Sequence, residues 1–344
     1  MRIIILGGGF CGTIIAKKLE KQKTLDIVII DKKEYFEYSP SLWKLLLKPL
    51  QYEKYIVPFA QFLNHSRIIT DPVLQVTPKF VETEKEKLTF DYLVISTGIE
   101  YPIFLDNTQN VFTIKSGFEV LQNSKKIVNA KSILIIGGGL IGTEIAGELA
   151  TKSPEKQIIM VHPHDRLLER KTKSASRYAK KYLDKRGVQI IFGEKVVDYQ
   201  NGIFITNLKR TIKADVGIWC AGIKSDPWFM KEFPPSIFTE LNTLKVNQSL
   251  QLENHPNIFV GGDITNVLEE KTAANAKRHG SFIVMNILRS MKQKQLIVYK
   301  PRKGLMIISL GRWDGILMFG KFLFPGFIPA MIKLIIEKVG IKRL

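Results

Sequence analysis

Two short apolar runs in this chain each lead directly into a glycine-rich loop. Residues 3–6 and 133–136 are apolar at every position, and a stretch of helical length follows each loop. A continuous apolar run of this length is typical of a parallel strand buried on both faces. The pattern therefore predicts two strand–turn–helix units, one near the amino terminus and one near the middle of the chain.

The glycine loops have the spacing of dinucleotide-binding turns. The first has glycines at positions 7, 8, 9 and 12, and the second at 137, 138, 139 and 142. In such a loop the glycines allow a tight turn, and the N-terminus of the next helix faces a pyrophosphate. One loop alone is weak evidence. Two copies in the same context predict two dinucleotides and electron transfer between them.

Each unit also closes with a matching strand. Residues 91–98 and 215–222 both start with Asp, continue as an apolar run and end in Gly. A further strand-then-Asp signal at 257–263 comes late in the chain, before a helical pattern over 271–290. This late return suggests that the second unit is inserted into the first.

The fold class predicted is α/β, with two Rossmann-like three-layer domains and a C-terminal segment. We place the first domain at 1–110 and 246–310, the inserted domain at 111–245, and the C-terminal segment at 311–344.

Composition identifies a folded protein with a strong positive charge. The 344 residues are 45% hydrophobic and carry a formal net charge of +19. Residues 291–344 hold eleven Lys or Arg against Asp314 and Glu337. Such an excess of positive charge predicts an anionic partner or surface. Aromatic and basic residues do not interleave as in a strand-binding groove, so nucleic acid is not expected as a partner.

The C-terminal segment has the pattern of a helix that lies in a membrane surface. Apolar residues from Ile328 to Val339 share one helical face, and Lys333, Glu337 and Lys338 oppose them. Basic flanks and an aromatic cluster at 322–327 favour docking on anionic lipid. The alternatives are packing on the first domain or on a second copy in a homodimer.

Two cysteines, Cys11 and Cys220, are too few for a disulfide scaffold and suit a reducing compartment. No secretory signal precedes the first strand, and no uncharged run is long enough to span a bilayer. We therefore expect a peripheral protein on the cytoplasmic side of a membrane. The histidines lack metal-ligand spacing, so no metal is expected.

With these motifs, the chain resembles two-dinucleotide flavoprotein reductases, in which the first loop holds FAD and the second NAD(P)H. The segment 31–40 resembles the D-x-x-x-x-F-x-x-x-P stretch of type II NADH dehydrogenases, and 142–149 their second helix. Residues 161–162 and 312–315 are most similar to the apoptosis-inducing-factor-like, ferroptosis-suppressor branch, which reduces quinones.

The resemblance implies roles for particular residues. The FAD contacts it implies are Gly7, Gly9, Phe10, Gly12, Asp31, Val73, Thr97, Gly98 and Asp263. The NAD(P)H contacts it implies are Gly137, Gly139, Leu140, Gly142 and Gly222, with Glu144 beside the nicotinamide.

Two positions depart from that family's pattern. Ala274 stands where quinone-reducing members commonly have glutamine, which weakens the inference about quinone contacts. His162 stands where an acidic residue would bind the ribose of NAD. Either its imidazole helps to accept the 2′-phosphate of NADPH, or it only caps the strand and both cofactors are used. Lys271 and His279 are candidate proton donors by location alone.

The sequence thus predicts an FAD-dependent NAD(P)H:quinone oxidoreductase. One alternative is a reductase of a soluble acceptor such as ferredoxin or rubredoxin. Another is a redox-sensing flavoprotein that binds nucleic acid or a protein.

Overall fold

The computed structural model describes residues 1–302 and 304–342, without the side chain of residue 342. The last two residues of the predicted docking segment, 343 and 344, lie outside the described residues. The strands are β1 (Arg2–Leu6), β2 (Asp26–Asp31), β3 (Tyr35–Glu37), β4 (Ile56–Pro58), β5 (Arg67–Thr70), β6 (Val73–Val76), β7 (Phe80–Thr83), β8 (Lys87–Thr89), β9 (Tyr92–Ile95), β10 (Val111–Phe112), β11 (Ser132–Ile136), β12 (Gln157–His162), β13 (Gln189–Phe192), β14 (Val196–Gln200), β15 (Ile203–Thr206), β16 (Thr211–Lys213), β17 (Val216–Trp219), β18 (Gln251–Leu252), β19 (His255–Val260), β20 (Met306–Leu310), β21 (Asp314–Phe319) and β22 (Phe322–Pro325). The α-helices are α1 (Phe10–Leu19), α2 (Gly117–Asn129), α3 (Leu140–Lys152), α4 (Lys173–Asp184), α5 (Ala273–Met291) and α6 (Phe327–Lys342).

The first compact unit consists of residues 1–37, 56–100 and 223–302. Its six-stranded sheet has the order β18-β19-β9-β1-β2-β5, and all neighbours are parallel except β18 and β19. The apolar run of β1 is fully buried between β9 and β2, as a parallel strand covered on both faces requires. Strands β6, β7 and β8 form a separate antiparallel sheet.

The second unit consists of residues 38–55, 101–222 and the described part of 303–344. Its parallel sheet has the order β10-β17-β11-β12-β13, with β11 again between the closing strand and the strand after the helix. Two antiparallel sheets, β14-β15-β16 and β20-β21-β22, complete the unit. The predicted α/β class with Rossmann-like sheets is confirmed. The assignment of an FAD domain and an inserted NAD(P)H domain stays a prediction.

The C-terminal helix α6 packs on β20 and β21 within the second unit. Among the described residues, no helix combines the length and the apolar character needed to cross a membrane.

Helices α1 and α5 pack so closely in the first unit that glycine is required at Gly280. A Cβ atom there would lie 2.6 Å from the backbone oxygen of Cys11. Contacts this short do not occur between real Cβ atoms and backbone oxygens, so one helix would have to move.

We predict that Gly280→Ala destabilises the protein by about 1–3 kcal/mol through overpacking. Helix propensity alone predicts the opposite sign, since Ala is favoured over Gly by about 1 kcal/mol in a helix interior. Urea unfolding measures the difference. Gly304→Ala, where a Cβ meets nothing within 4 Å, is the control. Unchanged or higher stability of Gly280→Ala would contradict the close packing of α1 against α5.

Candidate functional site

The first glycine loop joins β1 to α1 by an unusually close approach of backbone to backbone. Gly7 has φ +93°, and a Cβ there would lie 2.5 Å from the oxygen of Ser96. A Cβ at Gly12 would lie 1.9 Å from the oxygen of Gly7. Only glycine fits at these two positions, so the loop holds the N-terminus of α1 directly against the end of β1.

The second loop repeats this geometry between β11 and α3. Gly137 has φ +111°, and its Cβ would lie 2.9 Å from the oxygen of Cys220. A Cβ at Gly142 would lie 1.9 Å from the oxygen of Gly137. The two loops are therefore structural copies, as the sequence repeat predicted.

Both loops leave the N-terminus of the following helix without a side-chain cap. Gly9 and Gly139 occupy the N-cap positions, and a Cβ at either would meet nothing within 4 Å. By contrast, Ser116, Thr172 and Thr272 cap α2, α4 and α5 through their hydroxyl oxygens. Open, uncapped helix ends beside glycine loops fit the pyrophosphate of a dinucleotide. The first helical residues are Phe10, which packs edge-on against Phe36 at 4.9 Å between ring centroids, and the half-buried Leu140.

A side chain at the end of the next strand holds each loop through its second glycine. In the first loop, the Gly8 N–H donates to Asp31 Oδ2 at 2.6 Å. In the second, the Gly138 N–H donates to His162 Nδ1 at 3.0 Å. Asp31 Oδ1 also accepts the N–H of Lys33 at 2.9 Å. Asp31 and His162 thus occupy equivalent positions and make equivalent contacts.

His162 is a neutral acceptor in this arrangement. Its imidazole is buried, and Nε2 lies 3.2 Å from Glu169 Oε2. Burial lowers the pKa of His162 below its usual value, with Glu169 opposing the shift and His164 adding to it. A ring that accepts at Nδ1 and is buried cannot act as an exposed cation for a phosphate. The geometry therefore favours the alternative in which His162 only caps the strand. Glu169 lies in a loop, and no sequence signal pointed to it.

The other predicted FAD contacts lie on two sheets. Because β1, β9 and β19 are parallel, Gly7, Thr97 and Asp263 follow strand ends at the same edge of one sheet. Thr97 is exposed, and Gly98 has φ +79° with nothing within 4 Å of a Cβ. Val73 begins β6 in the separate antiparallel sheet and packs on the core of the first unit. Their contact with FAD stays a prediction.

Asp263 lies on a single 3-10 turn, Gly262–Ile264, whose first N–H donates to His279 Nδ1 at 3.1 Å. His279 Nε2 lies 2.9 Å from Glu269 Oε1, so His279 positions the turn. Burial raises the pKa of Asp263, and the Lys271 ammonium opposes this shift. Tyr299 donates to Glu269 at 3.0 Å and completes the cluster. The sequence did not point to Glu269 or Tyr299.

Lys271, the other candidate proton donor, donates from Nζ to the backbone oxygen of Thr265 at 2.6 Å. Burial lowers its pKa, while Asp263 and Glu269 oppose the shift. Ala274 lies exposed in the first turn of α5. A role for Lys271 in catalysis stays a prediction.

A cavity of about 410 Å³ opens beside the second glycine loop. Its walls are mostly apolar. They are formed by Phe104, Ile136, Gly137, Val161, Pro163, Glu194, Lys195, Val196, Val197, Trp219, Ala221 and Gly222. Gly222 has φ +74°, and Phe104 lies 3.1 Å from the position of a Cβ there. The cavity has the size and the apolar lining of a small-molecule site.

Glu144 is bound within the second unit to the C-terminal sheet and helix. Its buried carboxylate accepts the Ser309 N–H at 2.9 Å and forms an ion pair with Lys333. Its predicted role beside the nicotinamide stays a prediction, since these contacts already account for its burial.

The two cysteines are free thiols rather than a redox pair. Burial raises the pKa of Cys220 to about 12 and that of Cys11 further, with Asp263 adding to the shift at Cys11. A thiolate is the reactive form, so neither residue is suited to attack at neutral pH. Within residues 1–302 and 304–342, no group of three or more His, Cys, Asp or Glu could hold a metal ion.

Comparisons with known proteins identify the family of the chain. Residues 1–280 match the model of the pyridine nucleotide-disulphide oxidoreductase family. The chain is 29% identical over 333 residues to ferroptosis suppressor protein 1 of Taeniopygia guttata, covering 92% of this chain and 88% of that protein. It is 26% identical over 389 residues to the type II NADH:quinone oxidoreductase of Staphylococcus epidermidis, covering 100% and 96%.

The fold also matches NDH2 from Plasmodium falciparum in complex with NADH. The TM-score is 0.88 at 15% identity, over 97% of this chain and 93% of that one. The predicted resemblance, and with it the use of FAD and NAD(P)H, is confirmed.

We predict that the free energy of unfolding depends less on pH in His162→Asn than in the wild type. Because the pKa of His162 is lower in the folded protein, the unfolded chain binds more protons below pH 6.5, so stability falls as pH falls through that range. Asn can accept the Gly138 N–H without titrating. Urea unfolding from pH 8 to 5 measures the slope, with the exposed His65→Asn as control. Equal slopes for wild type and His162→Asn would contradict a neutral, buried His162.

Proposed function

The chain belongs to the pyridine nucleotide-disulphide oxidoreductase family, and on this premise we propose that it is an NAD(P)H:quinone oxidoreductase. In this proposal the enzyme contains FAD, docks peripherally on the cytoplasmic side of a membrane and takes its quinone from the bilayer. The names of the relatives support a quinone acceptor. The observation that carries the membrane part is the orientation of helix α6.

Helix α6 turns two charged residues, Lys333 and Glu337, inward and several apolar residues outward. Lys333 pairs with Glu144, and Glu337, which is 9% exposed, pairs with Lys44. Ile335 and Ile336 are 56% and 48% exposed. A helix on the surface of a water-soluble domain has the reverse arrangement. An outward apolar face is stable only if an apolar partner covers it, and a lipid surface is such a partner.

Exposed aromatic side chains extend this apolar surface along the C-terminal segment. They are Trp313, Phe319, Phe322, Phe324 and Phe327. Trp313 and Phe327 stack at 5.8 Å between ring centroids, and the Arg312 guanidinium lies 4.5 Å from the Trp313 ring. Aromatic rings with nearby cations are typical of the boundary between lipid headgroups and acyl chains. The exposed Lys321 and Lys338 add attraction to anionic lipid.

The residues of the chain supply binding and orientation. FAD, when bound, would accept a hydride from NAD(P)H and pass two electrons to the quinone. The first glycine loop and Asp31 would hold the flavin dinucleotide, and the second loop with Gly222 would hold the nicotinamide dinucleotide. The outward face of α6 would hold the enzyme at the bilayer, where quinones dissolve.

The direct test is steady-state oxidation of NADH and NADPH by FAD-loaded protein. Short-chain ubiquinone, menaquinone and ferredoxin serve as alternative acceptors. We expect turnover with at least one quinone. Turnover with ferredoxin alone would instead identify a reductase of a soluble carrier, and no turnover with any acceptor would contradict an enzymatic role.

We predict that the double substitution Ile335→Asp and Ile336→Asp reduces binding to anionic liposomes at least about tenfold, since each buried side chain contributes about 1.5–3 kcal/mol. Turnover with quinone in liposomes should fall in parallel, while turnover with ferricyanide is kept. Binding is measured by liposome co-sedimentation.

Val128→Asp is the matched control, because Val128 lies in α2 of the same unit and is 49% exposed. Light scattering with size exclusion gives the oligomeric state. If the double variant dissociated a dimer and left liposome binding unchanged, a second copy of the chain would be the partner of α6, and membrane docking through this helix would be wrong.

A further inference from the structure

Of the described residues that line the cavity of the second unit, Lys195 is the only cation, and it lies exposed at the edge. We propose that this residue, Lys195, binds the 2′-phosphate of NADPH and so determines whether the enzyme uses NADPH as well as NADH. The inference rests on the use of a nicotinamide dinucleotide and does not depend on the electron acceptor.

Lys195 lies where the adenosine ribose of a dinucleotide is expected. Strand β13 pairs with β12, and the segment after β13 continues alongside the end of β12. The Glu194 N–H donates to the oxygen of His162 at 3.3 Å, and the Gly193 N–H donates to the oxygen of His164 at the same distance. In doubly wound folds, the ribose lies at the end of the strand that follows the glycine loop. Here that strand is β12.

Neither His162 nor Glu194, which lie beside this segment, presents a free charge to the cavity. His162 is a neutral acceptor of the Gly138 N–H. The buried Glu194 carboxylate accepts from Arg210 Nε at 2.8 Å and from Thr206 Oγ1 at 2.6 Å, and these bonds lower its pKa. Of these two residues, neither offers a free carboxylate to a ribose 2′-hydroxyl or an unpaired negative charge to a 2′-phosphate.

Two charged groups of the neighbouring loop, Arg166 and Glu169, are already engaged. The Arg166 guanidinium donates to the backbone oxygens of Glu169 and Lys171. The Glu169 carboxylate lies 3.2 Å from His162 Nε2 and 3.8 Å from Arg170 Nε. Neither Arg166 nor Glu169 lines the cavity.

Lys195 both lines the cavity and is exposed at its edge. Its backbone is fixed, since its N–H donates to Asn207 Oδ1 at 2.8 Å. Beside it, Val161, Val196 and Val197 provide apolar walls of the kind that hold an adenine ring. An ammonium group beside such a pocket can bind a 2′-phosphate through charge-assisted hydrogen bonds.

The test compares the two coenzymes in the FAD-loaded full-length enzyme, with ferricyanide as acceptor so that quinone and membrane are not involved. For Lys195→Gln we expect the KM for NADPH to rise about tenfold or more, because the variant loses a charge-assisted hydrogen bond to the 2′-phosphate. The KM for NADH should stay within about twofold. Lys195→Arg should restore most of the affinity for NADPH, since it keeps the charge.

Lys213→Gln is the control for the loss of one exposed lysine of the same unit, because Lys213 lies on β16 and does not line the cavity. It should change neither KM. Inhibition by 2′,5′-ADP and by 5′-AMP gives a second measurement that isolates the phosphate. Lys195→Gln should weaken inhibition by 2′,5′-ADP and leave inhibition by 5′-AMP unchanged.

Flavin content and thermal unfolding establish that each variant is folded. An unchanged ratio of the two KM values in Lys195→Gln would overturn the proposal. So would an equal rise of both values, since Lys195 would then support the pocket without binding the phosphate.

Discussion

The rest of the site depends on one steric constraint in each glycine loop. The end of the strand lies in direct contact with the first turn of the helix. A Cβ at Gly12 or Gly142 would lie 1.9 Å from the backbone oxygen of Gly7 or Gly137. This contact places α1 and α3 with their uncapped N-termini at the edges of the two parallel sheets. Asp31 and His162 then fix the loops through the backbone of Gly8 and Gly138. An oriented helix end next to a strand end can bind a pyrophosphate with backbone groups alone.

Local features of this site could be predicted from the sequence because they depend on short segments. The glycine spacing, the buried strands β1 and β11 and the acidic end of β2 all follow from steric limits and apolar runs within about thirty residues. The late strand-then-Asp signal also predicted a further strand near residue 257, which in the structure is β19, next to β9.

Features that depend on distant partners could not be predicted in this way. His162 looked like a candidate cation because the sequence does not show that Gly138 and Glu169 surround its ring. The ion pair of Glu144 with Lys333 could not be predicted because the two residues lie far apart in the chain. The segment 38–55, which lies with the second unit, has no signal in its own composition.

The outward apolar face of α6 follows from its buried charges. Two carboxylates, Glu144 and Glu337, each receive a lysine from another element of the unit, which offsets the cost of removing charge from water. Once Lys333 and Glu337 face inward, helical spacing leaves the isoleucines on the outside. The same contacts link α6 to α3, the helix that begins at the second glycine loop, so the surface proposed to dock on lipid and the nucleotide loop belong to one packed unit.

The central claim is that electrons pass from a nicotinamide dinucleotide through bound flavin to a membrane quinone. Anaerobic rapid mixing separates the two half-reactions. The account predicts that NADPH or NADH bleaches the flavin absorbance. It also predicts that a second mixing with quinone-loaded liposomes restores it, each step at least as fast as steady-state turnover. Flavin that stays oxidised with both coenzymes, or reduced flavin that quinone does not reoxidise, would contradict it.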